Sequence, residues 1–252
     1  MIIVDCIQGT PEWHEARAGV VTASMFTIAR SITGGLTEQQ KIYVDAIKSG
    51  DDKKTAQEKA KYKTAPRASG IDAALNGEQV GEFSETAKNY AFRVAIERIS
   101  KTALDEGFET WSMRRGRELE EDCRKRHSLD LGFYVEECGF IKTDDSKFGC
   151  SVDCLVDDDG GGEYKCFVSP EKLRDIILND DISTVKDQIQ GSLWLTGRKW
   201  WDFCLYCPAL ALVGKDYIRK RVYRDEEYIF ELERDLVAFE KLVTENEITL
   251  RA

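Results

Sequence analysis

The sequence predicts an α/β fold, α+β in some schemes, with a central mixed β-sheet flanked by helices. Three observations carry that expectation. Apolar residues recur at helical spacing up to about His127, the period changes to two after Gly132, and helical spacing returns at residues 185–195 and 227–245. Between the last two helices lie further alternating runs.

Residues 1–4 read as extended, and Pro11-Glu12-Trp13 opens a helix that reaches about Ala18 and is stopped by Gly19. Thr22 or Ser24 caps a second short helix containing Met25, Phe26, Ile28 and Ala29. Residues 33–81 shift toward Lys, Gln, Gly and Ala, with a helix near 37–47 and a Lys-rich stretch from Lys53 to Arg67. Residues 84–98 form a helix with Ala87, Tyr90, Ala91 and Val94 on one stripe, and a further helix runs from about Arg114 to His127. Strands follow at 134–136 and 140–142, then at 148–156 and 162–167, the last two joined by a turn over 157–161. A helix at 185–195, strands at 200–207 and 220–223, and an amphipathic helix with Leu232, Leu236, Phe239 and Val243 complete the chain.

With 252 residues and 42% hydrophobic content, the chain closes a sizeable core, and residues 1–252 are expected to be a single domain with a variable Lys-bearing helical segment at about 36–81. Thirty-six Lys and Arg against 46 Asp and Glu leave a net charge of -10, so any contact with a polyanion must rest on local basic patches. Eight cysteines lack the repeated close pairs of a zinc framework, and Cys204 and Cys207 form a lone CxxC running into Pro208. Reduced thiols in a cytoplasmic protein are the expectation, with no secretory segment and no membrane, since no apolar run reaches the roughly 18 residues a span requires.

The sharpest chemical feature is Asp153, followed by Glu163 and Lys165 across a strand, turn and strand. Two-residue periodicity points Glu163 and Lys165 to one side of the sheet and Tyr164 and Cys166 to the other. A hairpin register placing Asp153 opposite them gives two carboxylates for an oxygen-preferring divalent cation and an ammonium to orient water or hold negative charge. That arrangement suits phosphodiester cleavage. The same residues also suit an ordinary charged hairpin face, but a covered sheet face would make unpaired charges costly. Glu120 is the favoured third carboxylate, with Glu118 and Glu121 left open by periodicity alone. Gln188 lies near Gly191 and Ser192, where its amide serves a water or metal-bound oxygen, or simply faces solvent.

Five separated segments then share an order and spacing: residues 12–24 (EWHEARAGVVTAS), Gly116-Arg117-Glu118-Leu119-Glu120, Ser151-Val152-Asp153, Glu163-Tyr164-Lys165-Cys166 and Asp187-Gln188-Ile189-Gln190. Over roughly residues 10–245 the chain resembles the YqaJ-like family of phage recombination exonucleases, the bacteriophage lambda exonuclease type, within the PD-(D/E)XK nuclease superfamily. The resemblance implies a restriction-endonuclease-like fold, Asp153 and Glu163 as principal metal ligands, Glu120 as the helix carboxylate near the metal, Lys165 as the catalytic lysine and Gln188 as the helix amide. It further implies that Arg17 and Ser24 grip the 5'-phosphate of the cleaved strand. The implied cofactor is Mg2+, with Mn2+ also accepted. The implied activity is 5'-to-3' digestion of linear double-stranded DNA, releasing 5'-mononucleotides and leaving 3' overhangs for a single-strand annealing protein, by a homo-trimeric ring in the cytoplasm of a bacterial host.

The chain departs from the family pattern in the segment between Leu36 and Gly81 and in Tyr164. Lys53, Lys54, Lys59, Lys61, Lys63 and Arg67 of that segment track phosphates or merely aid solubility. Three other readings stand beside this one: an endonuclease or single-strand-specific nuclease of the same fold, a non-enzymatic DNA-end-binding module, and a hydrolase of small phosphates. The last lacks a GxxxxGK[ST] loop.

Overall fold

The computed structural model describes residues 1–67, 69–78, 80–104, 111–166 and 169–252. The chain divides into two compact units, Met1–Arg30 with Asn89–Ala252, and Ser31–Lys88. In chain order the elements are β1 (Ile2–Val4), α1 (Pro11–Arg17), β2 (Val21–Thr22), α2 (Phe26–Ala29), β3 (Ile32–Thr33), α3 (Glu38–Lys48), α4 (Lys53–Lys59), α5 (Ser69–Leu75) and β4 (Glu82–Phe83). They continue with α6 (Glu85–Ser100), α7 (Trp111–Leu131), β5 (Phe140–Lys142), β6 (Phe148–Ser151), β7 (Cys154–Val156), β8 (Gly160–Cys166), α8 (Pro170–Leu178), α9 (Lys186–Thr196), β9 (Trp200–Tyr206), β10 (Tyr217–Tyr223) and α10 (Glu226–Arg251).

Local chemistry explains the boundaries. Thr10 caps α1 by accepting from Trp13 N–H, and Pro11 occupies the first turn, where its missing N–H is harmless. Gly19 ends this segment with φ +74°, and a Cβ there would lie 2.6 Å from Arg98 Cγ, so both conformation and proximity to α6 require glycine. In the smaller unit, Thr37 and Gln40 form a reciprocal capping box at α3, and Asp52 caps α4. Tyr43, Val44, Ala46, Ala56, Ala60 and Ile71 form that unit's own apolar core.

The mixed sheet structure in the larger unit consists of two four-stranded sheets, ordered β1-β5-β6-β2 and β10-β9-β8-β7. Each is antiparallel except for one parallel pair, β2 with β6 and β8 with β9. Residues 148–156, expected as one strand, are divided between the sheets: β6 ends at Ser151, β7 begins at Cys154, and Val152 and Asp153 make the crossing. The Asp153 carboxylate accepts from Tyr164 N–H at 2.5 Å, so a side chain takes the place of a ladder carbonyl where the strand breaks. Residues 134–136 form no strand, only an isolated bridge from Glu136 to Leu155. The turn is shorter than expected, because β8 already begins at Gly160, and Phe167 lies outside the described residues. Helix α8 was not expected at all.

The buried centre contains Phe26, Phe140, Ile189, Leu193, Leu236 and Phe239. Gly191 on α9 admits Phe26, whose ring would lie 2.5 Å from an added Cβ. No described helix is long and apolar enough to cross a membrane.

Arg98 on α6 makes a bidentate pair with Glu240 on α10, at 2.7 and 2.9 Å, and donates to Gly19 O at 2.8 Å. Both charged side chains are largely covered, so removing Arg98 leaves Glu240 desolvated with only the longer Lys147 contact, at 3.8 Å, to offset its charge. Arg98→Ala is expected to lower the unfolding free energy by about 3 kcal/mol, read from the urea midpoint, whereas a change under about 1 kcal/mol would contradict this account of the pair.

Candidate active site

Strand β8 positions the centre. Register pairs Cys154 with Gly162, which carries Asp153 to the level of Glu163. Glu163 and Lys165 share a face, as a two-residue period requires, and the Lys165 ammonium donates to Glu163 Oε1. Glu163 is buried and Lys165 partly covered. Gln188 on α9 completes a triangle: its Nε2 donates to Glu163 Oε1 at 2.7 Å, and its Oε1 accepts from Lys165 Nζ at 3.3 Å.

Gln188 is fixed through its neighbour. Asp187 is buried and accepts from Thr27 Oγ1 at 2.8 Å, Arg30 Nη1 at 2.9 Å and Tyr228 O–H at 2.6 Å. Arg30 also reaches Asp235 at 2.6 Å. Gln190 ties the same helix to Tyr223 O and Asp225 N–H, at 2.9 and 3.0 Å. Two residues of the segment 187–190 therefore hold α9 in place while Gln188 faces Glu163 and Lys165.

On α7 the structure selects Glu120. Glu118 and Glu121 are exposed and pair with Arg115 and Lys125, at 2.9 and 2.7 Å. Glu120 is instead half-buried, and it lines a groove of about 1280 Å³ with Asp153, whose wall also includes Arg117, Glu121, Arg124 and Lys125. Burial, then the charge of Glu163, raises the Glu120 carboxyl above its usual range. Burial also raises Asp153, followed by the charges of Glu163 and Glu120. Burial alone would lower Lys165, but Glu163 and Asp153 outweigh it and keep the ammonium charged.

These observations test the fit of a divalent ion. The donors are carboxylate oxygens, and their mutual repulsion is what a cation would relieve. Among the described residues, no three His, Cys, Asp or Glu side chains form a ready-made metal cluster. One or two carboxylates completed by water and phosphate oxygens is the usual manner for Mg2+, so the donor set fits that ion.

A second cavity, about 210 Å³, brings Ser24, Lys165 and Gln188 together with Lys172, Thr184 and Ile176. Ser24 thus joins the site, and its hydroxyl is 3.3 Å from that of Thr22. Arg17 is placed differently: its guanidinium lies 4.0 Å over the Trp13 ring, and it is not among the described residues lining either cavity. Trp13 in turn donates to Ser151 Oγ at 2.9 Å, two residues before Asp153. Sequence reasoning missed Lys172, although Ser169-Pro170-Glu171 carries an N-cap, a first-turn proline and an acidic first turn.

The YqaJ-like viral recombinase domain family matches residues 12–199 of this chain. The fold is also that of the alkaline exonuclease LHK-Exo from Laribacter hongkongensis, 26% identical over 96% of this chain and 97% of that one, with a TM-score of 0.67. The same enzyme in complex with dAMP gives a TM-score of 0.68 with the same identity and coverage. A phage-related exonuclease from Haemophilus somnus 129PT, 15% identical over 92% of this chain and 96% of that one, shares the fold with a TM-score of 0.54. Among curated proteins, no sequence matches the chain.

The raised Glu120 carboxyl carries a stability consequence. Its folded form binds a proton more tightly than the unfolded chain, so ionisation costs stability as pH rises above the usual value of 4.5 toward the raised one. Without divalent ions, Glu120→Gln is expected to unfold at a higher temperature than the parent near pH 8, with the difference disappearing by about pH 3.5. Calorimetry at both pH values checks this, and an equal or lower midpoint near pH 8 would refute it.

Proposed function

We propose a specific reaction for this chain, which belongs to the YqaJ-like viral recombinase domain family and is a nuclease: metal-dependent 5'-to-3' exonuclease digestion of linear double-stranded DNA. Its products are 5'-mononucleotides and 3' single-stranded overhangs. The observation that carries the reading is the triangle that Glu163 and Lys165 on β8 form with Gln188 on α9, with Glu163 level with Asp153.

Asp153 and Glu163, with Glu120 beside them, would hold Mg2+, and Mn2+ by the same oxygen chemistry. Bound there, the ion supplies Lewis-acid stabilisation of phosphoryl oxygens and makes water more acidic. Lys165 stays cationic and faces the charge that develops on the phosphate. Gln188 holds Glu163 and Lys165 in one geometry, so neither must reorganise during reaction. Ser24 lines the cavity next to Lys165 and offers a hydroxyl to a terminal phosphate. Arg17 supplies the matching guanidinium by turning from Trp13, a role supported by the family resemblance and by its place on α1. The dAMP complex of LHK-Exo supports a mononucleotide ligand for this fold.

The groove that contains Asp153 and Glu120 is lined by Arg117, Arg124 and Lys125 but also by Asp5, Glu121 and Glu137, so DNA phosphates would meet those basic side chains locally while divalent ions mask the carboxylates. Backbone contacts of this kind give cleavage largely independent of base sequence. In a recombination role the 3' strand would pass to a single-strand annealing protein, and a ring of three copies would enclose the substrate. The family membership supports both.

Closed circular duplex should survive Mg2+ while its linearised form is digested, and cutting of the circle would favour an endonuclease. Lys165→Ala is expected to lower kcat by about 10²–10⁴ while duplex is still bound in a gel-shift assay. Arg17→Ala should reduce the preference for a 5'-phosphate over a 5'-hydroxyl end by about tenfold, as loss of a charge-assisted hydrogen bond requires. An unchanged preference would remove Arg17 from the phosphate site.

A further inference from the structure

The opposite face of β8 carries a buried polar chain that the reaction does not use. Tyr164 sits between Glu163 and Lys165 but points toward α7, where His127 is fully buried. His127 Nδ1 is 3.1 Å from the Tyr164 hydroxyl, and its Nε2 is 3.1 Å from Asp202 Oδ2. Asp202, also fully buried, is held by Arg221 at 2.9 and 2.8 Å and by Arg219 at 3.2 Å. Arg221 itself lies 3.6 Å over the Trp200 ring.

The donor inventory fixes the direction of this chain. A carboxylate held by two guanidinium groups only accepts, so His127 Nε2 carries the N–H. In the neutral imidazole Nδ1 then accepts, from the Tyr164 O–H at 3.1 Å and from the Cys154 thiol at 3.8 Å. Room for the ring comes from Gly162, where a Cβ would stand 3.4 Å from His127 Cε1 and 2.6 Å from Cys154 Sγ. An apolar pair could fill the same space, but without directional bonds it would not fix the position of α7 along β8.

Both ends of this contact lead to the carboxylates. Tyr164 N–H is the donor that holds Asp153 at 2.5 Å. His127 lies seven residues after Glu120 on α7, two helical turns along the same side. We propose that His127 and Tyr164 are positioning residues for the carboxylate centre: anchored on Asp202, they fix α7 against β8 so that Tyr164 N–H stays on Asp153 and Glu120 stays on the groove it lines with Asp153. The inference rests on the reading of those carboxylates as the reacting centre.

The test uses the full chain with Tyr164→Phe, His127→Phe and the double variant. Each is examined for amide hydrogen exchange without metal, Mn2+ affinity by calorimetry, and kcat and KM on linear duplex. Tyr164→Phe removes one oxygen and keeps the test readable if His127→Phe fails to fold. The expected result is faster exchange at the residue 164 amide, with Leu236 and Phe239 on α10 unchanged. Mn2+ affinity and kcat should each fall by about tenfold with little change in KM for DNA, as for outer partners of metal ligands. The double variant should be no worse than the worse single one, because the relay acts as a unit. Parental exchange at residue 164 and parental Mn2+ affinity in Tyr164→Phe would overturn the proposal, even if its melting temperature falls. A parent that binds Mn2+ without cutting DNA would instead sink the nuclease reading, and the exchange and affinity measurements would still decide the positioning role.

Discussion

The site depends on the two-residue period of β8. Because alternate side chains must leave a strand on opposite faces, Glu163 and Lys165 share one environment and Tyr164 is forced into the other. The paired charges become a centre because α9 sets the Gln188 amide against both, at 2.7 and 3.3 Å. A slip of one residue in the pairing of β8 with β9 would exchange the faces and bury the ammonium against α7.

The surrounding fold preserves that geometry with long-range polar contacts. Arg30, Asp187, Tyr228 and Asp235 connect α2, α9 and α10, while Arg98 and Glu240 connect α6 to α10. The carboxylates themselves work against stability, since Asp153 and Glu120 are driven toward protonation by burial and by neighbouring charge. Such opposition between folding and chemistry is common where like charges converge to hold a cation.

Much of this was legible in the sequence because the signals are local. The face shared by Glu163 and Lys165 follows from periodicity, and Pro11 and Gly19 mark the bounds of the first helix through backbone conformation, whereas neither Thr22 nor Ser24, the expected caps, makes a side-chain capping bond. The division of residues 148–156 was not legible, since it depends on which amide the Asp153 side chain finds, eleven residues away in sequence. Asp187 gave no local sign of its bond to Arg30, 157 residues earlier. Choosing Glu120 over Glu118 and Glu121 likewise required the packing of α7, because three acids within one turn fit several helix rotations. Helix α8 carries legible signals in Ser169-Pro170-Glu171, and it is this helix that brings Lys172 to the cavity with Ser24, Lys165 and Gln188.

The central claim is that the Asp153 and Glu163 carboxylates serve exonucleolytic cleavage. The most direct measurement is a time course on 5'-phosphorylated linear duplex with Mg2+, labelled to distinguish loss from the two ends of each strand. The account predicts progressive release of 5'-mononucleotides from the 5' ends by the parent chain and none by Glu163→Gln. Duplex left intact by the parent chain, or release undiminished by Glu163→Gln, would contradict it.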